Sequence, residues 1–384
     1  MSKFLRFSSV FLFFVTFAVV SISQESISSY FIPINEENAM QVRPLTSAPT
    51  SRALGFSGDG HVLITTTNFC AGCRYTGMLW DFNTQNQIHF ENANPLGISP
   101  NGRYVLLSSS NSTELYDYQN GTSRQLIAGG ISSLIFSPDS AYFITYSVST
   151  QVYQLWESES GEAISILSVT DRCCTRSAMQ FSPDSQEIAL FDRNERVRLW
   201  NIASQSERLS FPTRGFGVIF SADGSHLIMY DNQTLVIGDT ETGELLSQIR
   251  HGMSLNGAQA LLSPDGATLL LGNDVYNWNP ARLYDISNPR DIQPIADFAI
   301  APNTREIAFS PNGRWIMAYR GGGSYGIEIF DAQNGSLLAQ LQQNTGIRIA
   351  QFSADNNLIF SAGQDNVIRI WHWNGTEVEE LAIL

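Results

Sequence analysis

One short phrase returns eight times along the chain at a nearly constant interval. Phe-Ser-Pro-Asp-Ser starts at Phe136 and again at Phe181, and close variants start at Phe56, Ile98, Phe220, Leu262, Phe309 and Phe352. The serines of these phrases, Ser57, Ser99, Ser137, Ser182, Ser221, Ser263, Ser310 and Ser353, lie 38 to 47 residues apart. A period of that size marks a module that cannot bury its apolar side alone and does so by packing on its neighbours. Length by itself, 384 residues, would suggest two or three domains, and the period replaces that estimate with one continuous array.

Every unit repeats one internal order. A short apolar strand runs into the phrase, and an alternating strand follows, as from Tyr104 to Leu107. A polar loop leads to a third strand ending in a pair: Trp80-Asp81, Tyr116-Asp117, Trp156-Glu157, Trp200-Asn201, Gly238-Asp239, Tyr284-Asp285, Phe330-Asp331 and Trp371-His372. A turn rich in Asn, Gly, Ser and Thr then opens a fourth strand, as from Leu337 to Leu341. Proline at the second turn position followed by Asp and Gly suits a tight reversal. Apolar residues alternate with a period of two, and no 3.6-residue pattern follows the first residues, so the units read as strands throughout.

Four strands in about 40 residues, closing on an aromatic-Asp pair, resemble WD40 repeats. The resemblance spans nearly all of residues 24–384 and implies an all-β β-propeller, with eight blades of four antiparallel strands, or alternatively seven. The Gly-His pair that usually opens such a repeat is missing throughout. The family's buried hydrogen-bond network is therefore expected to be largely absent, with ring closure resting on apolar packing and sheet pairing. Two segments compete to be the outer strand of the last blade. One is the lead-in from Ile34 to Leu45, which resembles that of many bacterial WD-repeat proteins, and the other runs from Glu377 to Leu384.

Residues 1–23 carry Lys3 and Arg6, an apolar run from Val10 to Val20, and the small-residue pattern Ser21-Ile22-Ser23. That order predicts a cleaved export signal, with 24–384 as one domain in the extracellular or cell-envelope space. The apolar run is shorter than the ~20 residues of a spanning helix, so no stable membrane span is expected after cleavage. Lys3 is the only lysine in the sequence, so the mature chain has no Schiff-base lysine and no phosphate-loop lysine. A formal charge of −14 repels phosphate backbones and argues against nucleic acid as a partner.

No catalytic or metal-binding constellation emerges. Gly322, Ser324 and Gly326 match the G-x-S-x-G pattern, but they sit between two strands rather than on the strand-to-helix elbow that hydrolysis needs. His61, His89, His226, His251 and His372 lack partners at metal-ligand spacing. The acidic stretches at Asp192 and Asp285 do not alternate as a calcium loop does and read as hairpin turns. Asn111, Asn120, Asn232, Asn334 and Asn374 open tripeptides of the glycosylation type.

Of the four cysteines, Cys70 and Cys73 fall in the loop between the second and third strands of the first unit. Cys173 and Cys174 fall in the loop entering the fourth unit, which in a propeller emerges on the same face. Two local bridges are expected, with cross-pairing between the loops, and free thiols or metal, as alternatives. The reading is thus an exported, non-catalytic, monomeric propeller without cofactor, acting as a platform for an unidentified protein partner. Tyr146, Arg172, Arg176, Arg214 and Arg320, on loops of the cysteine-bearing face, are its candidate contacts, since Arg and Tyr anchor interfaces. A lectin-like or small-ligand binder at the channel mouth is the alternative, and an enzyme using propeller loops is a third reading.

Overall fold

The computed structural model describes residues 51–383, apart from 58–61, 68–75, 82–83, 85, 92, 110–111, 129–130, 148–151, 168–178, 192–195, 214–216, 254–258, 273–280, 299, 301–303, 321–325, 343–345, 354 and 364–367. The described strands form eight four-stranded sheets, each built from four consecutive strands paired in chain order. The first blade comprises Ser51–Phe56, Val62–Thr67, Thr76–Asp81 and Gln87–Glu91, and the last Ile347–Phe352, Leu358–Gly363, Ile368–Trp373 and Val378–Ile383. All pairs are antiparallel, as hairpin connections dictate. The strand count settles the number of blades at eight. It also resolves the competition for the last outer strand: Val378–Ile383 pairs with Ile368–Trp373. The lead-in from Ile34 to Leu45, like the signal at 1–23, lies outside the described residues.

Blades pack face to face, so their second strands are covered on both sides and read as unbroken apolar runs. Ile188 to Phe191, Leu227 to Tyr230, Leu269 to Leu271 and Ile316 to Tyr319 are all buried. Each fully buried side chain of this size contributes roughly 1.5–3 kcal/mol. The core is accordingly a series of layers between blades. One layer joins Leu283 and Ile300 of the sixth blade to Ile316 and Phe330 of the seventh. Another joins Met317 and Ile329 of the seventh to Phe352 and Trp371 of the eighth.

A bulge recurs between the third and fourth strands of the third to eighth blades, immediately before the aromatic position of the Trp-Asp-like pair. A bulge re-aims the side chain that follows it. Here it turns Trp156 toward Thr145 Oγ1, at 2.9 Å, and Trp371 toward Ser361 Oγ, at 3.1 Å. The fifth blade has Gly238 at this position. A β-carbon there would lie 2.4 Å from Cε1 of Phe211, the last residue of the fourth blade's outer strand. Phe211 is fully buried. The neighbouring blade therefore fills the space that other units fill with their own aromatic ring.

Candidate functional site

The seven described Ser-x-Asp or Ser-x-Asn turns lie at one end of the blades. In each of the seven described turns the serine hydroxyl donates to Oδ1 of the Asp or Asn two residues on. The same hydroxyl accepts the N–H five residues on. Oδ1 in turn accepts the N–H two residues after it, at 2.9 to 3.1 Å. Only an Oδ1 acceptor is needed, which is why Asn101 and Asn312 serve as well as Asp139, Asp184, Asp223, Asp265 and Asp355.

The fourth position of every described turn has a positive φ, between 61° and 75°. Glycine occupies it at Gly102, Gly224, Gly266 and Gly313, as the left-handed region favours. Ser140, Ser185 and Asn356 occupy it in the other three, and each side chain accepts a backbone N–H from the preceding blade. Asn101 donates to Ser140 Oγ at 3.0 Å, Asp139 to Ser185 Oγ at 3.1 Å, and Asn312 to Asn356 Oδ1 at 3.0 Å. At these three junctions turn-to-turn hydrogen bonds add to the apolar layers between blades.

Five turn carboxylates, Asp139, Asp184, Asp223, Asp265 and Asp355, are exposed around this face. The Ser221 and Ser225 hydroxyls, with the Ser225 N–H, hold Asp223 down to about 2 against a modest opposing effect of burial. Asp239 and Asp285, in the turns after the third strands, are also held below the usual carboxylate range, by bonds from Thr242 and Glu241 and from Ser287 respectively. Asp223, Asp239 and Asp285 thus keep their charge further into acid than an ordinary carboxylate. Between the fourth and fifth blades it opens into a cleft of about 400 Å³ lined by Asp184, Glu187, Arg208, Phe220, Asp223 and Glu241, among others. Arg208 is not free in this cleft: it pairs with Glu187 and donates to the Thr240 carbonyl at 2.7 Å. Sequence reading passed over these residues because a single Arg or Glu in a strand carries no local pattern. The regular spacing of the turn carboxylates was the available signal.

Of the positions singled out from sequence, Tyr146 and Arg320 lie at the opposite end of the blades. Cys70, Cys73, Cys173, Cys174, Arg172, Arg176 and Arg214 lie outside the described residues, as do Gly322 and Ser324. Tyr146 is the penultimate residue of the third blade's second strand, Tyr142–Ser147, and is half-buried, its ring 4.6 Å from that of Tyr153. Arg320, with 17% of its side chain exposed, donates to Glu328 Oε1 at 2.8 Å, and Gln340 donates to the same oxygen at 3.0 Å. The structure does not bring Tyr146 and Arg320 together; they belong to the third and seventh blades. His251, buried beside the fifth blade's outer strand, accepts the Met253 N–H through Nδ1 at 3.2 Å. Its Nε2, 3.2 Å from the Asp231 carbonyl, is then the protonated nitrogen, so the ring is a neutral structural group. Among the described residues no group of three His, Cys, Asp or Glu is placed to hold a metal ion.

A family model described as WD domain, G-beta repeat, matches residues 335–372. That span runs from the turn before the seventh blade's outer strand to the end of the eighth blade's third strand, so one sequence repeat straddles two blades. The mouse serine-threonine kinase receptor-associated protein is 19% identical over 223 residues, covering 57% of this chain and 60% of the relative. Apoptotic protease-activating factor 1 of Danio rerio is 22% identical over 347 residues, 84% of this chain and 26% of the relative. The matches thus take in about three fifths and about a quarter of these relatives' own lengths. Among solved structures, the computationally designed Ika8 protein aligns over 85% of this chain and 97% of its own, at 15% identity and a TM-score of 0.53, a likeness of fold. The Cps50 (Swd1) beta-propeller domain of Myceliophteria thermophila aligns over 75% and 98%, at 16% identity and a TM-score of 0.49.

Proposed function

We propose that this eight-bladed β-propeller, whose repeats resemble WD40 repeats, is an exported, non-catalytic platform that binds a protein partner through its turn face. The observation that carries the reading is the construction of that face: hydrogen-bonded turns, tied to the next blade at three junctions, that display five exposed carboxylates. A surface so held loses little conformational entropy on binding. Its charge selects a partner segment rich in Arg or Lys and speeds encounter with it. The relatives' names speak of association with a receptor and activation of a protease, and those words concern the relatives. Export rests on the order of charge, apolar run and small residues in 1–23. Arg172, Arg176 and Arg214 are proposed as further contacts.

The test is capture from the exported protein fraction on the immobilised full chain. The wild type is compared with a variant carrying Asp139→Asn, Asp184→Asn and Asp265→Asn, substitutions that keep the Oδ1 acceptor of each turn. A retained protein whose binding falls at least tenfold in the variant, and weakens with salt, supports the reading. Retention of glycans with no protein would favour the lectin-like alternative and count against it. Equal binding by the variant would move the contact off the turn face.

A further inference from the structure

Each blade ends in an outer strand whose free edge presents unpaired N–H and C=O groups, a template for another strand. Six of the eight edges carry a charge, with Glu91, Arg124, Arg208, Arg250, Asp297 and Glu380 as examples from the first, second, fourth, fifth, sixth and eighth blades. The outer strands of the third blade, Ala163–Leu167, and of the seventh, Leu337–Gln342, contain neither charge nor proline. These same two strands hold the two large apolar side chains that are exposed among the described residues, Ile166 at 61% and Leu337 at 48%. Third and seventh blades are four apart in a ring of eight, so the unguarded edges lie on opposite rims.

We propose that copies of this chain associate edge to edge, the outer strand of the third blade in one copy adding antiparallel to that of the seventh blade in the next. The occupant is a second copy because charge and geometry single it out. At a net charge of −14, copies repel one another wherever carboxylates face, and these two edges bring none into the pairing. Outer strands run from the turn face toward the opposite face. Ile166 therefore stands near the far end of its strand and Leu337 at the near end of its own. Antiparallel pairing sets the two opposite each other, as cross-strand apolar contacts require. A seventh-blade edge paired with its own copy would instead set Leu337 against Gln342. The contact is heterologous and does not close, so it builds chains of copies. One added strand covers less than the ~800 Å² per partner of a standard interface, so the association is weak and concentration-dependent. It takes the place of the monomer expected from sequence.

Sedimentation equilibrium of the full chain, from low micromolar to the solubility limit and at low and high salt, tests this. The weight-average mass should climb with concentration and climb further as salt screens the repulsion. Ile166→Lys and Leu337→Lys should each hold the chain at the mass of one copy, with the melting temperature unchanged. An equimolar mixture of the two should reach the mass of two copies and stop, since each variant keeps one intact edge of opposite kind. A wild type that stays at one copy at every salt and concentration overturns the proposal. So does either single variant that associates by itself as the wild type does, because the contact would then be isologous or elsewhere.

Discussion

Ser185 sits at a positive φ, is fully buried, and accepts the Asp139 N–H of the preceding blade. Two opposed effects meet in it: the left-handed backbone costs roughly 1–2 kcal/mol for a residue with a β-carbon, and the hydrogen bond returns about 1 kcal/mol and keeps a turn N–H satisfied. Ser185→Ala keeps the cost and loses the bond, whereas Ser185→Gly loses both. In denaturant titrations the alanine variant should be the less stable by about 1 kcal/mol, and a glycine variant below the alanine one would contradict the assignment. Gly238 and Phe211 make a second pair. Gly238→Ala should cost about 1–3 kcal/mol by overpacking against the Phe211 ring, and Phe211→Ala about 3–5 kcal/mol by leaving a cavity. Combined, the two should fall short of their sum by more than ~1 kcal/mol, and strict additivity would show that the ring and the glycine do not share a space. Neither pair is legible in the sequence. A turn serine looks like any other until the neighbouring unit's N–H is located. A missing aromatic looks like a degenerate repeat until the ring that replaces it is seen arriving from the blade before.

At the scale of elements, the turns and strands were legible because their chemistry is local: serine, Asp or Asn, and a Gly, Ser or Asn at positive φ close the first hairpin of the described units, whatever the rest of the chain does. Links between blades are spread over residues some 40 apart and were not. His251 is one such link. Its carbonyl accepts Arg282 Nη1 of the sixth blade at 2.7 Å, while Arg282 also pairs with Asp297, Nη2 to Oδ2 at 2.8 Å. Burial pushes the His251 imidazole below its ordinary value, outweighing the opposing pull of the Asp231 carbonyl bond. The unfolded chain thus binds the proton more readily. Stability from this group is complete above the ordinary histidine value near 6.5 and is lost as pH falls below it. His251→Gln, which can still donate and accept, should narrow the drop in melting temperature between pH 7.5 and pH 5. An unchanged drop would mean that the imidazole titrates freely in the folded state.

For the whole molecule, the repeat period foretold eight blades, and the ring is completed on its last blade by the chain's own final strand. Trp373, fully buried and 5.5 Å edge-on from Trp315, lies in the strand that Val378–Ile383 covers. Truncation after Asn374 should therefore lower the melting temperature by several degrees or more, and a truncated chain melting like the full one would mean that another segment fills that edge. The face predicted from sequence as the site of contact was chosen for its cysteines and arginines, which are conspicuous by type. The turn face is conspicuous only by arrangement, because its carboxylates first look like turn formers and acquire a second meaning when the described turns share one rim. Hydrogen exchange of the full chain with and without its captured protein partner tests the central claim most directly. The account predicts slowed exchange in the turns at 137–141, 182–186, 221–225 and 263–267, and protection confined to the opposite end of the blades, or to none of the chain, would contradict it.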